Sequence, residues 1–245
     1  MKDKTFSDIS GKRFGVSPLI IALLCGFSWL QTTVAAESPG QSIFRINTQQ
    51  KVIALTFDDG PNSESTGQII ELLKKYQARA TFFVNGKNVR KYPELVKTTY
   101  LAGNEIGNHA ETHRRLIFKS PNEITREITA TDQIIRETGY QGAIPFRAPY
   151  GRKLLILTRV LQKMQRKHIY WTFSLHDWDG RPPEVMFRCF CRKIKPGTIV
   201  LLHDGYAFKP ASRDNTVKLV AMILEKYSQE GYWFVTVSEL LAIEK

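Results

Sequence analysis

Two adjacent carboxylates, Asp58 and Asp59, follow the apolar run Lys51-Val52-Ile53-Ala54-Leu55 and precede Gly60. Ionised carboxylates this close repel each other and are costly to strip of water, so they persist where a cation or an arginine compensates. The chain carries candidates for both: His109 and His113 as metal ligands, and Arg147 as a counter-charge. An apolar strand that ends in such a pair is a poor core element and a good start for a metal-dependent hydrolase. Further groups of the same chemical kind are Arg147 within Phe146-Arg147-Ala148-Pro149-Tyr150-Gly151, Asp177-Trp178, and His203-Asp204-Gly205.

The elements that must position these groups follow from periodicity. Strand-like runs fall at 51–57, 80–84, 104–108, 143–147, 168–174, 198–203 and 232–237. Helix-like amphipathic runs lie between them, near 66–77, 92–102, 121–138, 152–165, 183–193 and 215–229. Asn62-Ser63-Glu64-Ser65 offers caps for the first helix, Ser120-Pro121-Asn122-Glu123 reads as a helix start, and Gly103, Gly139 and Gly231 close three helices. Alternation of strand and helix implies a parallel sheet, open or closed into a barrel, in one domain. In such folds the active site lies at the C-terminal ends of the strands. Asp58 and Asp59 end the first strand, His109 the third, Arg147 the fourth and His203 the sixth, while Asp177 and Trp178 follow the fifth. His113 follows His109 at i+4, where a helical turn brings both imidazoles to one side. That shared address carries more weight than any single motif, each of which alone has a bland counterpart as a turn, cap or core residue. His168 and His176 read as structural or surface residues.

The 245-residue chain has a formal net charge of +12 and an ordinary globular composition, 42% hydrophobic and 24% charged. Residues 1–36 differ from the rest. Lys12 and Arg13 precede a largely apolar run from Phe14 to Leu30, followed by Val34-Ala35-Ala36, the pattern of a secretory signal peptide. The run is also close to spanning length, so an uncleaved membrane anchor is the alternative. Cleavage removes four basic and two acidic residues, which lowers the net charge from +12 to +10. Residues 37–50 read as a short polar linker. An exported basic protein is drawn to polyanions such as cell-wall polymers; no motif interleaves the charges for nucleic acid. Cys189 and Cys191 stand at i and i+2 on a helix-like run, do not face each other, and read as small core residues without a disulfide.

The ordered motifs, among them Thr56-Phe57-Asp58-Asp59-Gly60-Pro61-Asn62 and Ala80-Thr81-Phe82-Phe83-Val84, resemble the polysaccharide deacetylases of carbohydrate esterase family 4, the NodB homology domain. The likeness runs from about Lys51 to Leu241. It implies a distorted (β/α) barrel of seven or eight strands over 51–245 and a divalent metal, usually zinc, with Co2+ or another ion as alternatives. By position the ligands are Asp59, His109 and His113. The resemblance further implies Asp58 as general base held by Arg147, the backbone N–H of Tyr150 as an oxyanion donor, His203 as general acid, and Asp177 as the group that orients it. On a strand Leu201 shares a face with His203, so Leu201, Trp178 and Tyr150 are candidates to wall an acetyl pocket. The implied protein is a monomeric, secreted or cell-envelope N-deacetylase of N-acetylglucosamine-containing glycans, acting on peptidoglycan, chitin-type oligomers or poly-N-acetylglucosamine. An O-acetyl esterase of acetylated xylan, an amidohydrolase for small cyclic amides and a non-catalytic wall-binding protein remain alternatives.

Three positions depart from the family pattern. Ser174 stands where the first acid of Asp-x-x-Asp-Trp is common, Ala110 where Ser or Thr is usual, and Arg114 where Pro is frequent.

Overall fold

Strands β1 to β8 run Ser42–Ile43, Val52–Asp58, Thr81–Val84, Glu105–Asn108, His168–Ile169, Phe173–Ser174, Thr198–His203 and Trp233–Phe234. Helices α1 to α8 run Ser65–Lys75, Gly86–Lys91, Pro93–Leu101, Pro121–Glu137, Leu155–Lys163, Pro183–Lys193, Asp214–Gln229 and Val237–Ile243. The computed structural model describes residues 40–152, 154–206 and 212–243, all within the unit Ala35–Lys245. The segment read as a signal peptide or anchor lies outside the described residues. Among the described residues no helix is long and apolar enough to cross a membrane.

Strand β2 organises the sheet. All seven of its residues are buried, as expected for a parallel strand covered on both faces. The strand order is β4-β3-β2-β7-β6, with β8 pairing to the first residues of β2, and every strand pair is parallel. Single bridges then close the ring. Phe146 links β4 to β5, β5 pairs with β1, and Arg45 just past β1 bridges antiparallel to Thr198 of β7. The result is a distorted barrel.

Side chains of β2 alternate between two cores. Ile53, Leu55 and Phe57 pack outward with Ile69, Ile70 and Leu73 of α1 and Leu219, Val220 and Ile223 of α7. Val52 and Ala54 pack with Ile43, Ile46, Phe83, Ile169 and Ile199. The same inner face of β2 continues to Thr56 and Asp58, and that of β7 runs Ile199, Leu201, His203. Asp58 and His203 are register partners across the two strands. The carboxylate and the imidazole therefore arrive at the rim side by side.

Helix punctuation matches the sequence signals. Ser120 and Glu123 form a reciprocal capping box at the start of α4, and Gly103, Gly139 and Gly231 all take positive φ just past α3, α4 and α7. Asn62 Oδ1 accepts the backbone N–H of Glu64 and Ser65 before α1.

Several expectations are revised. The run 143–147 contributes one bridge at Phe146 instead of a strand, 168–174 splits into β5 and β6, and 232–237 shrinks to β8 because Val237 already starts α8. Helix α2, capped by Asn85, is shorter than two turns and left no periodic signal. Cys189 is half-buried but Cys191 is exposed, so only the first behaves as a core residue; both are free thiols. Residues 42–46, expected within a polar linker, are part of the barrel wall, with Ile43 and Ile46 buried. Five residues are too few to display alternation against a polar background. Ile46→Ala is expected to cost about 2–5 kcal/mol of unfolding free energy by urea titration, as for other buried isoleucines. A loss below about 0.5 kcal/mol, the range of surface changes, would return the segment to linker status.

Candidate active site

Asp59 follows the last residue of β2 and adopts φ 71°. Its carbonyl oxygen is held by the side-chain amides of Asn88 at 2.7 Å and Asn85 at 3.4 Å. His109 continues β4, and its Nδ1 lies 2.9 Å from the carbonyl oxygen of Arg147. A carbonyl only accepts, so Nδ1 carries the proton and Nε2 is left as the lone-pair atom, the arrangement that orients a metal-ligating imidazole. His113 does not follow on a helical turn. The 109–113 segment is irregular, with Ala110 at φ 64° and His113 at φ 53°, and these two left-handed residues bring the rings to 5.0 Å between centroids.

Asp59, His109 and His113 are all buried and offer ligand atoms within 4.8 Å of one another. Asp59 Oδ1 stands 3.1 Å from His113 Nε2 and 3.6 Å from His109 Nε2, and this buried oxygen accepts no hydrogen bond. Ligands of a tetrahedral zinc ion, about 2.0–2.2 Å from the metal, are about 3.4 Å apart. The donor set therefore fits a divalent cation of the borderline kind that accepts imidazole and carboxylate together.

Asp58 is held separately. Arg147, fully buried, donates from Nη1 to Asp58 Oδ1 at 2.7 Å and to Thr56 Oγ1 at 2.7 Å. Its Nε and Nη2 bond the carbonyls of Ile169 and Tyr170 at 3.2 and 2.9 Å. The other oxygen, Asp58 Oδ2, lies 3.7 Å from His109 Nε2. One carboxylate oxygen is thus clamped and the other faces the cluster.

Across the cleft Asp177 binds His203 twice, accepting the His203 backbone N–H at 2.8 Å and pairing with Nδ1 at 2.9 Å, and it accepts the Thr216 hydroxyl at 2.9 Å. Burial alone would push His203 down, but the charge and hydrogen bond of Asp177, with Asp59 and Asp58 behind it, raise it to about 9. His113 is pushed the other way. Burial and the neighbouring His109 outweigh Asp59 and Asp58 and lower it to about 4.

The remaining site residues enclose a cleft of about 630 Å³. Leu201 is buried on its wall, Trp178 is exposed with its ring edge-on to His203 at 5.0 Å, and the Tyr150 ring lies tilted against His113 at 4.7 Å. Tyr150 sits at φ 60° in a short 3-10 turn. His176 is exposed against Trp178. Of the departures from the family pattern, Ser174 Oγ accepts the His176 backbone N–H at 3.1 Å, Ala110 is buried among apolar neighbours, and Arg114 is exposed.

Sequence reasoning passed over several supports. Thr56 is two residues before Asp58 and so on its face. Asn108 Oδ1 accepts the Ala110 N–H at 2.8 Å while its amide donates to Asp132 at 2.7 Å. His168, expected to be structural or superficial, is buried. It pairs with Ser42 Oγ at 2.9 Å and accepts the Ala148 N–H at Nε2 at 3.2 Å, bracing the turn that carries Tyr150. Only Thr56 was within reach of a period-two argument; the others depend on contacts between segments far apart in the chain.

A parallel barrel whose rim gathers a carboxylate–imidazole cluster, a clamped second carboxylate and an acid-paired histidine has the parts of a metal-assisted hydrolase. Residues 45–170 match the sequence model for polysaccharide deacetylase. The chain is 34% identical over 207 residues to a peptidoglycan-N-acetylglucosamine deacetylase of Bacillus cereus, covering 84% of this chain and 95% of that protein. It belongs to the polysaccharide deacetylase family. It is 36% identical to the peptidoglycan-N-acetylmuramic acid deacetylase PdaC of Bacillus subtilis over 82% of this chain, but spans only 41% of that relative. The solved PdaC structure superimposes with a TM-score of 0.72 at 35% identity, over 81% of this chain and 94% of that one. A carbohydrate esterase family 4 pseudoenzyme from Bacillus anthracis superimposes with a TM-score of 0.75 at 29% identity, over 82% of this chain and 69% of that one. Since the fold accommodates a pseudoenzyme, activity has to be argued from the site.

The opposed histidines set a pH signature for metal-free protein. His113 is depressed from about 6.5, so its contribution to stability is full above that pH and fades as pH falls toward about 4. His203 is raised, so its contribution is full below about 6.5 and fades as pH rises through about 9. Urea unfolding with chelator present is expected to show stability falling on both sides of about pH 6.5, by up to about 3 kcal/mol for each group at 1.36 kcal/mol per pH unit. His203→Gln should abolish the alkaline fall. A variant that keeps it unchanged would remove the assignment.

Proposed function

We propose that this chain is an exported, divalent-metal-dependent N-deacetylase that releases acetate from N-acetylglucosamine units of peptidoglycan or a related N-acetylated glycan. The supporting observation is the separation of two acids at one rim: Asp59 turned toward two imidazoles, and Asp58 clamped by Arg147 with a free oxygen facing them. The names of the relatives support the substrate class, and the basic charge supports a polyanionic wall as the place of work. Export rests on the sequence of residues 1–36, and the protein is taken to act as a monomer.

Asp59, His109 and His113 would hold the ion, for which zinc suits the donors best. When bound, that ion supplies Lewis-acid polarisation of the acetamide carbonyl and a water of lowered pKa. Asp58 takes the proton of the attacking water through Oδ2, the oxygen Arg147 leaves unclamped. The Tyr150 backbone N–H donates to the oxyanion that develops at the carbonyl. His203, fixed at Nδ1 by Asp177, gives its Nε2 proton to the departing amine, which leaves poorly unless protonated. Its value of about 9 keeps that proton available at neutral pH. Leu201 and Trp178 wall the space for the acetyl methyl.

The test is acetate release by residues 37–245 supplied with zinc, using N-acetylated chitooligosaccharides and peptidoglycan. Release should stop with a chelator. Asp58→Asn should lower kcat by about 10²–10⁴-fold, the usual worth of a general base, while still binding one ion per chain. Acetate from acetylated xylan alone would make the protein an O-acetyl esterase, and none from any glycan would leave a wall-binding protein. Asp177→Asn removes the carboxylate that raises His203, so the alkaline limb of kcat is expected to move to lower pH. An unshifted limb would detach Asp177 from the acid.

A further inference from the structure

Three guanidinium groups, those of Arg115, Arg152 and Arg213, line the cleft. None of them is in an ion pair among the described residues; their contacts are a carbonyl for Arg213 and an aromatic face for Arg115. Of the acids near the reacting centre, Asp204 is buried and pushed up to about 7 by desolvation, and the others are accounted for. Asp58 is balanced by Arg147 and Asp177 by His203, while Asp59 belongs to the ligand set. Like charges lining one cleft repel each other, and an uncharged acetylated sugar gives nothing back for that cost.

Two of the surplus cations are held in place. The Arg115 guanidinium carbon stands 5.0 Å from the Tyr150 ring centroid, and that ring is 4.7 Å from His113. One aromatic ring therefore separates this cation from the ligand cluster, and the aromatic face holds it there. Arg213 is buried, with Nε donating to the Gly205 carbonyl at 2.8 Å, so its charge is built into the wall beyond His203. Arg152 follows Gly151 at the end of the turn that carries Tyr150 and is exposed.

We propose that the cleft binds a carboxylate carried by the substrate within about one sugar ring of the acetamido group, with Arg115 and Arg152 as its receptors and Arg213 as a fixed background charge. The proposal rests on the deacetylase reading and narrows its substrate to an acidic N-acetylhexosamine unit or its immediate neighbour. Arginine suits this task because its planar fork meets both carboxylate oxygens at once, whereas a lysine would act as a point charge.

A matched pair of substrates tests it: a peptidoglycan oligosaccharide with free lactyl carboxylates, and the same oligosaccharide with those carboxylates converted to amides. Wild-type kcat/KM is expected to be at least about tenfold higher for the acid, through KM, and the ratio should shrink as salt shortens the reach of the charges. Arg115→Gln combined with Arg152→Gln should bring the ratio close to one, and Arg115→Lys should restore only part of what Arg115→Gln removes. Equal kcat/KM for acid and amide in the wild type overturns the carboxylate subsite and leaves the deacetylase reading standing. Acetate from neither substrate strikes the deacetylase reading itself, and the subsite with it.

Discussion

The site depends on one buried cation. Arg147 is fully enclosed, lies 4.1 Å over the Phe83 ring, and spends its donors on Asp58, Thr56 and the carbonyls of Ile169 and Tyr170. Taking both charges out of water costs several kcal/mol per ion, so such a pair adds little net stability; losing one partner costs about 3–5 kcal/mol. Its effect is geometric. It ties β2 to the segment after β5, across the part of the barrel where strand pairing thins to single bridges, and turns one oxygen of Asp58 away from the cleft. Its own carbonyl oxygen fixes the tautomer of His109. A single residue thus aims both a carboxylate and an imidazole.

The rim pays for this convergence in backbone strain. Asp59, Ala110, His113 and Tyr150 all take left-handed conformations, each of which costs a non-glycine residue on the order of 1 kcal/mol or more. Asp59 comes directly after β2, Ala110 and His113 lie in the irregular segment after β4, and Tyr150 lies in the turn after the bridge at Phe146. Neighbours hold them in place: Asn88 on the Asp59 carbonyl, Asn108 on the Ala110 N–H, and His168 beneath the turn bearing Tyr150. These contacts explain why Asn108 and His168, polar residues with no place in the chemistry, are buried around the site.

How much of this was legible in the sequence follows from the range of the interactions involved. Val52 to Asp58 announces itself as a buried parallel strand because its pattern is local, and the addresses of Asp58, His109 and His203 follow from counting strand ends, whereas Arg147 follows a single bridge at Phe146 and not the strand expected there. The capping box at Ser120 is likewise contained in four residues. The closure through Phe146, β5, β1 and Arg45 could not be read, because each link is one or two residues long and draws its partner from a distant segment. For the same reason the path from His109 to His113 looked helical by spacing, although two left-handed residues build it. The bracing role of His168 needed Ser42 and Ala148, both remote in sequence.

The two histidines nearest the chemistry show how burial alone fails to define a site. His113 and His203 are both enclosed at the same rim, and desolvation disfavours the imidazolium of each. Asp177 decides the difference. It meets His203 with a direct bond from one oxygen while the other accepts from the His203 backbone and Thr216, so the carboxylate is fixed beside that ring. His113 faces Asp59 but shares it with His109, whose own ring disfavours a second cation nearby. One imidazole is consequently built to carry a proton and the other to offer a lone pair. Under the proposed function, environments that push like groups apart would let one cleft hold an acid and a ligand together. The difference between the two therefore comes from what surrounds them, Asp177 and Thr216 beside His203 and burial against His109 for His113, more than from the histidines themselves.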